Sequence, residues 1–227
     1  MVLKLSVIPA VCLLVFFTAV LAVYSPSEAR PLKEESITDV VEKVSRAIVN
    51  IKTEEWVKST EQKKGPSLRR LFNYEEAEEE IFENIGSGVV LDPKGIIVTN
   101  EHLIAKAINI KVKFLDGREF EAFVVGSDPE FDIAILKVVD NDDFPYLKPE
   151  LKKGVRVGEK AVVIGNPFGL SSTVTVGVIS ALGRNLKIEN RTYVNLIQTD
   201  ASINPGSSGG SLLDNQGRLT GIVTAIY

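Results

Sequence analysis

The sequence reads as an all-β domain, an antiparallel barrel or a sandwich, behind an apolar N-terminal segment. Three observations predict it. From Gly86 onward, short β-like runs recur with turn residues between them: "GSGVVLD", "GIIVTN", "DIAILKV", "AVVIGNP", "TVTVGVISAL", "YVNLIQTD". Asp116-Gly117 splits "INIKVKFLDGREFEAFVVGSD", and Asp-Gly between alternating runs is a strong hairpin signal. No amphipathic helix of useful length interrupts the series, which argues against a parallel α/β sheet. The 227 residues are 44% hydrophobic and 25% charged, an ordinary globular composition. Setting the N-terminal segment aside leaves about 200 residues, enough for one large domain or two small ones.

In chain order, Lys4 is followed by an almost unbroken apolar run from Leu5 to Val23. Residues 1–24 therefore read as an N-terminal apolar helix, either a signal peptide with a cleavage site near Ser27-Glu28-Ala29 or a retained transmembrane anchor. Both put the body outside the cytoplasm. Residues 25–35 are a polar, proline-containing linker. Ser36 or Thr38 can cap a short helix through Val44, with Val40, Val41 and Val44 on one face. "AIVNIKT" reads as the first strand. Residues 58–84 then interrupt the pattern as a long insertion with an acidic run, Glu75 to Glu80, whose plain reading is a solvated face. Further on, Pro93-Lys94-Gly95 and Asn215-Gln216-Gly217 read as turns.

Charge and rare residues narrow the chemistry. A net charge of −4 offers no basic field for nucleic acid. Cys12, the one cysteine, lies in the apolar run, so the body has neither a disulfide nor a cysteine metal site. His102, the one histidine, excludes a histidine-cluster metal site. No cofactor and no metal are expected.

The stretch "TDASINPGSSGGSLLD", residues 199–214, is either a plain Gly/Ser loop or a backbone bent to present one hydroxyl. A serine becomes a useful nucleophile only when a base removes its proton. The base candidate is His102 in "VTNEHLI", whose bland reading is a surface or satisfied core histidine. The carboxylate candidate is Asp132 in "DPEFDIAILKV", whose bland reading is a solvent-facing strand start. Chain order discriminates. "GSSGG" (206–210) fits G-x-S-x-G, but no histidine follows Ser208, so the α/β-hydrolase order fails. The order His102, Asp132, Ser208 is that of the chymotrypsin-like double β-barrel. The oxyanion hole would then be the segment Gly206, Ser207, Ser208, its donors the N–H groups of Gly206 and Ser208.

"SGVVLDPKGIIVTNEHLI", "DPEFDIAILKV", "GNPFGL", "TVGVISALGR" and "IQTDASINPGSSGG" together resemble the protease domain of the HtrA serine proteases, in order and with compatible spacing, from about Ser36 to Tyr227. The resemblance implies two six-stranded barrels with the site between them. It implies an ATP-independent endopeptidase of protein quality control, acting on misfolded or unfolded proteins outside the cytoplasm, usually as a homotrimer. His102 would be the base, Asp132 the orienting acid and Ser208 the nucleophile. Thr224, Ala225 and Ile226 would pair with substrate backbone, and residues 58–84 would be the family's regulatory loop. An uncleaved segment 5–23 would tether the chain to the inner membrane.

The chain departs from the pattern at Ser207 and Ser211, both small, and at Arg46, before the first strand. It also stops at "GIVTAIY", so the second barrel is expected to lack its C-terminal strand. The alternative is accordingly an inactive protease-like module that binds unfolded polypeptide or serves as a trimer subunit.

Overall fold

The first element is fixed by two reciprocal hydrogen bonds. In the computed structural model, which describes residues 36–58, 79–140, 142–150, 154–166, 172–188 and 191–224, the Asp39 N–H donates to the Ser36 hydroxyl and the Ser36 N–H to the Asp39 carboxylate, both at 3.1 Å. This capping box starts helix α1 (Ile37–Val44), as the sequence leads one to expect of Ser36. Val40 and Val44 are fully buried, with Val41 packed beside them. A 3₁₀ turn (Ser45–Ala47) carrying Arg46 leads into the first strand.

Strands β1 (Ile48–Lys58), β2 (Glu79–Val90), β3 (Ile96–Thr99), β4 (Asn109–Lys113), β5 (Glu119–Asp128) and β6 (Ile133–Val138) close into a barrel in the order β1-β2-β3-β6-β5-β4. Every neighbouring pair is antiparallel. The β4–β5 hairpin turns at Asp116-Gly117, and the β2–β3 connection at Pro93-Lys94-Gly95, as the sequence indicates. Strands β7 (Lys160–Gly165), β8 (Thr173–Ile188), β9 (Arg191–Thr199), β10 (Ser211–Leu213) and β11 (Leu219–Ile222) form a second sheet in the order β11-β10-β7-β8-β9. This is the expected second half, with five strands among the described residues.

One boundary differs. Residues 79–84, read from sequence as part of an insertion, belong to β2, where Asn84 to Glu79 pair in register with Thr53 to Lys58 of β1. The acidic run masked the strand: "EEIFEN" has too few apolar residues to announce itself. The rest of the expected regulatory loop, 59–78, lies outside the described residues, as do the expected signal or anchor (1–24) and the linker (25–35). Among the described residues no helix is long and apolar enough to cross a membrane.

Alternation along the strands builds three cores. Val49, Ile51, Ile97, Val112 and Leu136 fill the closed barrel, and Phe114 stacks on Phe144 at 4.9 Å to plug one end. The next residues along β1 to β3, Ile48, Val89 and Val98, face outward instead. They meet Val40 and Val44 of α1 and Val162, Ile164, Leu213 and Leu219 of the second sheet. Ala161 and Val163 point the other way along β7, onto Ile179, Ala201, Leu212 and Val223. Strand β7 is thus buried on both faces, which is why its sequence runs apolar without a break. The middle core joins the two sheets, and the candidate residues lie along this junction.

Candidate active site

Asp132 sits immediately before β6, wholly buried, with φ +55°. That left-handed conformation is uncommon outside glycine, and aspartate is among the residues that tolerate it. It is held from several directions. Its backbone carbonyl accepts from Asn100 Nδ2 at 3.0 Å and from the Glu101 N–H at 3.2 Å. Carboxylate Oδ1 accepts the His102 N–H at 2.9 Å, and Oδ2 takes the His102 ring at 2.8 Å through Nδ1. Oδ2 also accepts the Thr224 hydroxyl. Burial pushes this carboxyl up, but the hydrogen bonds from the His102 ring, Thr224 and the His102 N–H outweigh it and hold the group below the ordinary carboxylate range. An ionised carboxylate only accepts, so Nδ1 is the donating nitrogen, and in the neutral ring Nε2 carries the free lone pair.

His102 is placed by a 3₁₀ turn (Glu101–Leu103) just past β3. The turn is pinned at both ends: Asn100 and Glu101 bind Asp132, and the Leu103 carbonyl accepts from the Thr53 hydroxyl at 3.0 Å. The sequence puts this histidine at a strand end; the structure shows that the strand end and the carboxylate are one hydrogen-bonded unit.

Ser208 is presented by two successive turns. The Ser207 N–H bonds the Asn204 carbonyl at 2.9 Å, with Pro205 second and Gly206, φ +86°, third in the turn. Proline then glycine is the pattern a type II turn requires. The Gly210 N–H then bonds the Ser207 carbonyl at 2.9 Å across Ser208 and Gly209, and Gly209 has φ +82°. A Cβ on Gly209 would lie 1.9 Å from the Ser87 carbonyl oxygen and 2.4 Å from Thr99 Oγ1, so glycine is demanded by space as well as by conformation. Ser208 Oγ lies 3.4 Å from the carbonyl of Thr224. Thr224 therefore touches both partners: its hydroxyl reaches the acid and its carbonyl meets the nucleophile candidate. Among the described residues no hydrogen bond joins the His102 ring to Ser208. Ala225 and Ile226, the other expected substrate-pairing residues, lie outside the described residues.

Two participants had escaped sequence reading. Arg191, at the start of β9, places Nη1 3.2 Å from Asp132 Oδ1, pairs Nη2 with the Glu101 carboxylate and donates to the Pro129 carbonyl at 3.0 Å. Nothing in "ENRTYVN" marks it, because the contact depends on the fold of a distant hairpin. Ser87 in β2 is the second. Its N–H donates to the Ser208 carbonyl at 2.7 Å and its hydroxyl to the Gly206 carbonyl at 2.7 Å. The signal available was its place between Gly86 and Gly88, where small residues permit close approach. Ser207 and Ser211 are both buried, and Ser211 Oγ turns to the Ile164 carbonyl at 3.4 Å. Of "GNPFGL", Gly165 and Asn166 are described, and the Asn166 N–H donates to Ser87 Oγ at 2.8 Å. Among the described residues no group of three or more His, Cys, Asp or Glu could hold a metal ion.

Comparison with known proteins bears on this arrangement. Residues 86–222 match the trypsin-like peptidase domain. The chain is 50% identical over 147 residues to the periplasmic serine endoprotease DegP of Escherichia coli K12, covering 64% of this chain and 31% of that protein. It is 42% identical over 195 residues to the periplasmic pH-dependent serine endoprotease DegQ of the same strain, covering 84% of this chain and 42% of that protein. A solved variant of the HtrA-type protease AlgW, with a decapeptide, superposes with a TM-score of 0.75 at 41% identity, over 85% of this chain and 59% of that one. The chain thus spans less than half the length of these curated relatives. The two-sheet architecture is that of a chymotrypsin-like double barrel, with five strands in the second half among the described residues.

Proposed function

Since the chain belongs to the HtrA-type, trypsin-like serine peptidases, we propose that it is the peptidase portion of an extracytoplasmic serine endopeptidase that cleaves misfolded or unfolded proteins. In this reading Ser208 Oγ attacks the scissile carbonyl while His102 Nε2 takes its proton. Asp132 holds the imidazole and stabilises the imidazolium. The N–H groups of Gly206 and Ser208, with Ser207 between them, carry the oxyanion. The tetrahedral intermediate collapses, His102 returns the proton to the leaving amine, and water hydrolyses the acyl-enzyme by the same route. Thr224, Ala225 and Ile226 pair with the substrate backbone. The working unit is a homotrimer in or facing the periplasm, tethered through residues 5–23 where these are retained. Neither metal nor cofactor enters a step.

The observation that carries this reading is the 2.8 Å contact between the only imidazole and a buried carboxylate, one residue, Thr224, away from the Ser208 hydroxyl. A serine-directed fluorophosphonate tests it. Labelling of the folded chain that vanishes in Ser208→Ala is the expected result. A second reading, a module that binds unfolded polypeptide without cutting it, draws support from the Ser208 hydroxyl facing the Thr224 carbonyl. Folded chain that binds a denatured protein but takes no label would decide for it.

A further inference from the structure

We propose that Ser87 is a positioning residue for the oxyanion hole, holding the turn on which both donors ride. This rests on the reading of Ser208 as nucleophile. The two carbonyls that Ser87 grips are those of Gly206 and Ser208, the residues whose N–H groups form the hole. Gly206 has no side chain and takes φ +86°, so its own preferences restrain it little. The Ser87 hydroxyl supplies the restraint. Its oxygen accepts the Asn166 N–H at 2.8 Å, which turns its proton toward the Gly206 carbonyl at 2.7 Å. Ser87 is itself immobilised: it is fully buried, paired with Asn50 across β1 and β2, and its carbonyl accepts the Thr99 hydroxyl at 2.7 Å. Thr99 lies three residues before His102. One residue of the closed barrel therefore ties the strand that delivers the imidazole, through its carbonyl, to the turn that delivers the hydroxyl, through its side chain and N–H.

Without the hydroxyl, the Gly206–Ser207 peptide keeps the Ser207 N–H bond to the Asn204 carbonyl but loses its second anchor. Rotation about the unrestrained Gly206 φ and ψ then lets the adjoining Pro205–Gly206 peptide carry the Gly206 donor off its line to the oxyanion. Outright loss of one donor costs on the order of 10²–10³ in kcat. Misaiming one costs less, so Ser87→Ala is expected to lower kcat roughly 10- to 100-fold and to leave KM within about twofold. Full-length chain is assayed with a short peptide ester and with a peptide boronate, whose tetrahedral adduct on serine mimics the oxyanion. Boronate affinity should fall in step with kcat/KM. Affinity for the product peptide, measured with Ser208→Ala present in both backgrounds, should not change. Ser87→Thr, which keeps the hydroxyl, should recover most of the kcat. Urea unfolding accompanies each variant, and if Ser87→Ala is unfolded in the assay, Ser87→Cys, close in volume and a weak donor, is read in its place. A folded variant with native kcat, or one that loses product-peptide affinity by the same factor, overturns the proposal. A folded native chain that takes no fluorophosphonate label overturns the parent reading first, and this one with it.

Discussion

At the scale of single residues, two buried carboxylates set the response to acid. Asp214 is 3% exposed, accepts the Gln216 and Arg218 N–H groups at 2.9 and 3.0 Å, and bonds Arg218 Nε at 2.8 Å. Burial pushes its carboxyl up, but the Arg218 side chain and these N–H groups outweigh it and hold the group below the ordinary range. Asp132 is lowered in the same sense. A group lowered in the folded state stabilises the fold above its unfolded pKa, near 4, and that contribution is lost as pH falls through the folded value. Asp214→Asn should thus be less stable than the native chain at pH 7, with the gap closing below about pH 4. Urea midpoints at pH 7 and pH 3 check this, and a gap undiminished at pH 3 would exclude an electrostatic cause. The site residues differ in how far sequence exposes them. Chain order limits the folds that can unite His102, Asp132 and Ser208, and of these the structure joins His102 to Asp132 at 2.8 Å, while Ser208 as their partner is the proposal. Thr224, expected to pair with substrate backbone, lies past the end of β11, and its hydroxyl contact with Asp132 required the fold.

Elements show the same division. Helix α1 was readable to its cap, since Ser36 and Asp39 carry a local signal. Ser36→Ala should cost about 1 kcal/mol, as the loss of an N-cap hydroxyl typically does. Denaturant unfolding measures it, and because Val40 and Val44 pack on both sheets, the loss should appear in the main transition. The β4–β5 hairpin was equally plain from Asp116-Gly117. The start of β2 was not. Residues 79–84 hold their register by pairing with β1, and Trp56, Ile81 and Phe82 there are each more than half exposed. A strand held by its partner and not by a buried face has no clean apolar alternation to betray it.

For the molecule as a whole, the informative feature is the core shared by α1, β1 to β3, β7, β10 and β11. It makes the two sheets mutually dependent. Leu213→Ala, fully buried in that core, should cost about 2–5 kcal/mol and move the fluorescence and circular-dichroism transitions of the chain together. Separated transitions would show that the sheets unfold independently. Sequence displayed the strands of both halves but not the face each would turn to the other. Val162 and Ile164 look like any apolar run until β7 is found covered on both sides.

The residues of the proposed site are also spread along the chain, with His102 and Asp132 in the first sheet's share and Ser208 and Thr224 a further seventy residues or more downstream. On the ribosome, the imidazole and its carboxylate are made well before the alcohol is translated. In the proposed reading, this ordering withholds the nucleophile until the closed barrel and the first three strands of the second sheet have been synthesised, so a nascent chain lacks the alcohol with which it would cut its neighbours.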